Sequence, residues 1–186
     1  VTTKSEIWRS GPDKVLAVRA AAVEADPGAI VALVRAVARA AVWCDMPSSR
    51  HELAHLLAAA DVMDQPADLI LPGLSGHLML EPGASLDVPD FLVFARRAAT
   101  YPWPSHALWF LAQMARWGDV QPTPQAIDAT RATYRPDLYR TALAGTDFAV
   151  PDTAVQSLGP DSFFDGRPFD PDDILGYLDA TKPPRL

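Results

Sequence analysis

The run Tyr101-Pro-Trp-Pro-Ser-His-Ala-Leu-Trp-Phe-Leu-Ala-Gln-Met-Ala-Arg-Trp-Gly118 constrains the fold more than any other stretch, because it holds three of the five tryptophans of a 186-residue chain. Its spacing predicts a helix that begins after Pro104, with Ser105 accepting from the first-turn amides, and that stops at Gly118 with Arg116 in the last turn. Leu108, Leu111, Met114 and Ala115 fall on one side of it. Aromatic side chains bury more area than any others, so a helix this rich in them needs surfaces to pack against. It reads as a central core helix, with His106 and Trp109 as packing residues and not as catalytic ones.

The eighteen prolines show how the rest is laid out. Several stand at helix starts, where the missing N–H costs nothing: Asp26-Pro27, Thr123-Pro124, Arg135-Pro136 and Asp170-Pro171 each pair a proline with the residue at the cap. After Pro27, Ile30, Leu33, Val34, Val37 and Ala41 keep a helical period to about Trp43, with Arg35 and Arg39 on the solvated face. Ser49 and Glu52 have capping-box spacing ahead of Leu53, Leu56, Leu57 and Ala60. Pro66 opens a short helix ended by Pro72-Gly73, a Gly/Pro-rich loop runs to about Asp87, and Pro89 opens a helix carrying Phe91, Phe94, Ala95 and Ala98. Leu138, Ala142 and Leu143 pack from the helix after Pro136, and residues 146–170 read as irregular. The amino-terminal end is different: residues 1–7 have strand composition, Ser10-Gly-Pro-Asp13 marks a turn, and Val15, Leu16 and Val18 suggest a second strand. The expectation is a single helix-rich unit over residues 1–186, mostly α-helical with one or two short amino-terminal strands.

A net charge of −7 argues against direct nucleic-acid binding, which relies on clustered Lys and Arg. No apolar run approaches the ~18 residues of a membrane span. Cys44 is the only cysteine, so no internal disulfide forms, and its neighbours Val42 and Trp43 suggest a structural thiol. The chain opens at Val1 in what reads as a strand already under way, with no basic and then apolar leader. This predicts a piece of a longer polypeptide.

One short motif points to metal chemistry. His51-Glu52-Leu53-Ala54-His55 fits the spacing that puts two imidazoles on one helix face for zinc, with Glu as general base. His77 and Glu81 lie at workable distances downstream for a third ligand. Against a zinc hydrolase, the capping box uses Glu52 at the helix start and no sheet precedes the motif, so surface histidines are the expected reading. The acidic run Asp165 to Asp173 lacks the alternating ligands and terminal Glu of a calcium loop, and reads as a turn with a capping Asp. No phosphate loop or nucleophile elbow occurs.

Four segments in order carry a resemblance: Pro12-Asp-Lys-Val-Leu-Ala-Val-Arg19, Ala41-Val-Trp-Cys-Asp45, Pro102 to Gly118, and Phe163-Phe-Asp-Gly-Arg-Pro-Phe-Asp170. Together they resemble the C-terminal part of the nitrate- and bicarbonate-binding proteins of ABC transporters. The resemblance implies part of an α/β two-lobed fold of the periplasmic-binding-protein type (type II), with the N-terminal lobe absent from this chain. It implies a non-enzymatic protein without cofactor that closes on nitrate, nitrite or bicarbonate and serves an ABC permease. Lys4, on the strand returning between the lobes, would contact the anion, and Glu6 lies near a position that binds metal in the bicarbonate branch. The same family includes cytoplasmic nitrate sensors that restrain an RNA-binding antiterminator protein, an alternative to the periplasmic transporter component. The compact loop around Gly73 to Asp87 leans toward that branch.

Overall fold

The computed structural model describes residues 2–9, 11–152 and 163–181. Among these residues the order of elements is α1 (Lys4–Ile7), α2 (Ala20–Ala25), α3 (Pro27–Asp45), α4 (Arg50–Ala58), α5 (Ala67–Ser75), β1 (His77–Glu81), β2 (Ala84–Asp87), α6 (Pro104–Trp117), α7 (Pro124–Thr133), α8 (Pro136–Leu143) and α9 (Ile174–Ala180). The mostly α-helical character expected from sequence is what the fold shows. The strands lie elsewhere than expected: the chain from Lys4 to Ile7 is a helical turn, residues 12–18 belong to no element, and the one sheet is the antiparallel β1–β2 hairpin.

Helix α6 is the core helix. Ser105, His106, Ala107, Leu108, Leu111, Ala112 and Gln113 are all buried along it, and Gly118 closes it at φ 85°, a conformation that glycine adopts without a Cβ penalty. Two expected details differ. Trp103 occupies the cap position, so the buried Ser105 hydroxyl caps nothing, and Met114 turns outward. One apolar cluster joins Trp8, Leu108, Ala112, Phe169 and Ile174, which places α9 and the amino-terminal segment on α6. A second joins Ala38, Tyr101, Trp103, Tyr139 and Leu143, where α3 and α8 meet the residues leading into α6. In it Tyr101 stands edge-on to Tyr139 at 5.3 Å, and the Tyr139 hydroxyl lies 2.7 Å from Thr100 Oγ1. The first-turn amides of α7 and α9 are capped by Thr123 and Asp173 respectively. The second cap sits three residues beyond the expected Asp170, whose carboxylate accepts instead from the amide of Asp172.

Helix α3 starts as its Asp-Pro pair predicts, with Asp26 Oδ1 accepting from the amide of Ala29 at 2.9 Å. The face that packs is Ile30, Val34 and Ala38, whereas Leu33 and Val37 stay 40% and 41% exposed. Arg35, expected in solvent, donates from Nε to the Ala142 carbonyl of α8 at 2.6 Å. By length and composition this helix is apolar enough to cross a membrane, with mean hydropathy 1.5, contrary to the reading that no run approaches that length. Arg35 and Arg39 interrupt the run when it is read residue by residue. In this fold the helix packs on α8, and the Arg35 bond ties the two together.

Asp45, at the end of α3, decides the course of residues 88–98. Its buried carboxylate accepts from the backbone amides of Phe94, Ala95 and Arg96 at 3.0, 2.7 and 2.7 Å. A helix from Pro89 would direct those N–H groups to carbonyls four residues back, so the expected helix gives way to a loop with Arg97 and Ala98 at positive φ. Burial pushes the Asp45 carboxyl up, but these amides together with Arg96 outweigh it, and the group sits below the ordinary carboxylate range.

The capping box at Ser49 is not formed, since Ser49 ends a short 3₁₀ turn and accepts no amide. Of the inward positions expected on α4, Leu53 is buried and Leu56 is 57% exposed. Helix α5 runs through Pro72 and ends at Gly76, φ 72°. The expected loop after it is the hairpin, whose Pro82-Gly83 connection has Gly83 at φ 84°, as a two-residue turn with proline first requires.

Candidate functional site

The amino-terminal segment that carries Lys4 and Glu6 is pinned by one side chain. The Trp8 indole is 6% exposed and lies 4.5 Å from Trp109, 5.2 Å from Phe163 and 5.4 Å from His106, centroid to centroid. Backbone bonds complete the anchor: Trp8 bridges to Phe163, and the amide of Phe164 donates to the Ile7 carbonyl at 2.9 Å. The turn preceding Trp8 is closed by its own amide, which donates to the Lys4 carbonyl at 2.9 Å. That bond replaces the expected strand. His106 and Trp109 are thus core residues that seat Trp8, in keeping with the packing role read from sequence.

Lys4 projects from this turn with its side chain 53% exposed, not at a buried strand end. Its ammonium lies 3.8 Å from Asp13 Oδ1, longer than a charge-assisted hydrogen bond, so the donors remain open to another acceptor. Asp13 is held below the ordinary carboxylate range, chiefly by its bond from Lys14 and then by the charge of Lys4. Glu6 is exposed on the same turn. The Thr3 and Ser5 hydroxyls lie 2.8 Å apart beside it. The segment therefore presents the exposed Lys4 and Lys14 ammoniums on either side of Asp13, with the hydrogen-bonded Thr3 and Ser5 hydroxyls flanking Lys4 in sequence. Sequence reading named Lys4 and Glu6 and passed over Asp13 and the anchor Trp8. The four-residue spacing from Lys4 to Trp8 was the available signal.

The histidine motif does not come together. His51 and His55 share an exposed face of α4, Glu52 is exposed beside them, and His77 sits on β1 with Nδ1 2.6 Å from Asp87 Oδ1. Among the described residues no group of three His, Cys, Asp or Glu is placed to hold a metal ion. The acidic run near the carboxyl end serves local turns: Asp165 accepts from the amide of Arg167, Asp172 pairs with Arg131, and Asp173 caps α9.

Comparison with known proteins places the chain among relatives over nearly its whole length. Residues 1–58 match the NMT1-like family. Over 180 residues the chain is 33% identical to the nitrate/nitrite binding protein NrtA of Synechococcus elongatus, covering 95% of this chain and 40% of that protein. It is 30% identical over 187 residues to the bicarbonate-binding protein CmpA of the same species, covering 95% and 42%. The crystal structure of the periplasmic nitrate-binding protein NrtA from Synechocystis PCC 6803 superposes with a TM-score of 0.87 at 27% identity, over 96% of this chain and 47% of that one. The chain spans about two fifths of the length of these curated relatives. Over that stretch it shares both sequence and the periplasmic-binding-protein fold with them, and is a homologue of the nitrate/nitrite- and bicarbonate-binding proteins NrtA and CmpA.

Proposed function

We propose that this chain is the C-terminal, helix-rich unit of a non-enzymatic solute-binding protein that takes a small oxyanion, nitrate or nitrite, for an ABC transport system in the periplasm. The observation that carries the reading is 33% identity to a nitrate/nitrite binding protein across 95% of the chain. Lys4 is the proposed anion contact, because an exposed ammonium only loosely paired with Asp13 offers charge-assisted donors. Glu6, exposed on the same turn, is the second proposed ligand-binding residue. Residues of the absent lobe supply the remaining walls. The printed names of the NrtA and CmpA matches, nitrate/nitrite and bicarbonate binding proteins, favour the transport reading over the sensor reading.

Isothermal calorimetry on the longest polypeptide that carries this sequence tests the proposal with nitrate, nitrite and bicarbonate in turn. Loss of one charge-assisted contact corresponds to roughly 1.5–3 kcal/mol, so Lys4→Ala weakens the preferred anion by about 10- to 100-fold. Unchanged affinity removes Lys4 from the site. Failure of that polypeptide to bind any of the three anions overturns the function itself.

A further inference from the structure

We propose that Asp13 is a specificity-determining residue of the Lys4 site, selecting oxyanions of a single negative charge over dianions such as sulfate. The inference rests on Lys4 as the anion contact and adds how that contact discriminates. The chain turns back after the anchored Trp8: the amide of Gly11 donates to the Trp8 carbonyl at 3.0 Å, and a Cβ on Gly11 would come within 3.2 Å of the indole. That reversal returns the Asp13 carboxylate to Lys4. The carboxylate is shared between two ammoniums, with Oδ2 3.3 Å from Lys14 Nζ and Oδ1 3.8 Å from Lys4 Nζ. Lys14 makes the shorter contact, so the carboxylate stands beside Lys4 without occupying its donors. As an exposed ion pair the arrangement contributes little to folding. Its effect falls on the ligand: a negative charge beside an anion contact weakens every anion there, and the penalty grows with the charge of the anion.

The magnitude follows from the spacing. An anion hydrogen-bonded to the Lys4 ammonium lies about 4–7 Å from the Asp13 carboxylate, according to the side from which it approaches. The Lys4, Asp13 and Lys14 side chains are 53%, 68% and 88% exposed, so the dielectric constant of water applies. Repulsion then lowers the affinity of a monoanion about threefold to sixfold and that of a dianion about sevenfold to thirtyfold. The preference for the monoanion gains about threefold to sixfold from this one carboxylate. The local charge balance agrees. Residues 2–14 carry Lys4, Arg9 and Lys14 against Glu6 and Asp13, three cations to two carboxylates, and the one net positive charge neutralises a monoanion but not a dianion. Nitrate, nitrite and bicarbonate are all monoanions.

The longest polypeptide that carries this sequence is titrated by calorimetry with nitrate at low ionic strength, and sulfate is measured by its competition with bound nitrate. Wild type is compared with Asp13→Asn, Asp13→Glu and, as a control, Asp61→Asn, which removes one exposed charge from the connection between α4 and α5. Asp13→Asn is expected to tighten nitrate about threefold to sixfold and sulfate about sevenfold to thirtyfold, so the preference for nitrate falls by about threefold or more. Asp13→Glu keeps the charge and the preference, and Asp61→Asn changes neither affinity. Four results overturn the inference: an unchanged preference in Asp13→Asn, a preference lost equally in Asp13→Glu, an equal change in Asp61→Asn, or no competition by sulfate with Asp13→Asn. The last would mean that shape and not charge excludes the dianion. A wild-type protein that binds none of nitrate, nitrite and bicarbonate refutes the anion reading itself, whereas nitrate binding with an unchanged preference in Asp13→Asn refutes only the role of Asp13.

Discussion

Removing the Asp45 carboxylate tests how one side chain sets the course of a distant loop. It is 8% exposed and accepts three backbone amides, with Arg96 Nε at 3.5 Å. Hydrogen bonds to a charged group contribute roughly 1.5–3 kcal/mol each, but three on one carboxylate share its desolvation and are not additive. Arg96 is 44% exposed, so its ion pair adds less than about 1 kcal/mol. Asp45→Ala strands three amides and is expected to destabilise the chain by about 3 kcal/mol, a fall of about 6–12 °C in Tm for a chain of this size. Asp45→Asn keeps the shape but turns an NH2 toward donors, and costs about 2 kcal/mol. The pH dependence gives an independent check. Because the folded carboxyl sits below its ordinary value, its stabilisation is complete above about pH 4–5 and is lost as pH falls through the folded value. The gap between wild type and Asp45→Asn in urea melts therefore narrows below about pH 4. A loss under about 1 kcal/mol at pH 7, or a gap that does not narrow in acid, refutes the assignment of the loop to this carboxylate.

Two further substitutions probe the anchor and the hairpin. Trp8→Ala opens a cavity among Trp109, Phe163 and His106 and costs about 3–5 kcal/mol by chemical denaturation; Trp8→Phe retains most of the packing, and equal losses for the two variants would contradict an anchor that acts through buried area. Gly76→Ala places a Cβ against the Val88 carbonyl oxygen at φ 72°, where the neighbour is backbone and cannot rotate away. It is expected to lower stability by about 2 kcal/mol or more, beyond the ~1 kcal/mol of the left-handed conformation alone; a thermal melt showing a smaller loss means the hairpin shifts to make room.

Much of the helical layout was legible because its signals are local. An Asp or Thr before a proline satisfies first-turn amides within three residues, and that fixed the starts of α3 and α7 at Asp26-Pro27 and Thr123-Pro124. The aromatic density from Tyr101 to Trp109 identified the core helix, since Tyr101, Trp103 and Trp109 pack into its two clusters, whereas Phe110 and Trp117 farther along stay 40% and 74% exposed. The ordered segments identified the homologues. What sequence alone misplaced depends on groups far apart in the chain. Leu33 and Ala38 look alike in a periodic pattern, and only α8 decides that the second is buried. Asp45 diverts a predicted helix because its carboxylate lies against amides some fifty residues away. Lys4 was read on a strand, but the docking of Trp8 on α6 draws its backbone into a turn and leaves the ammonium exposed. The sequence by itself determined where several helices begin, which helix is the core and which known proteins the chain is homologous to. The tertiary structure decided which face of each helix is buried and which loops are held by side chains, because burial and hydrogen-bond partners are settled only when distant segments meet.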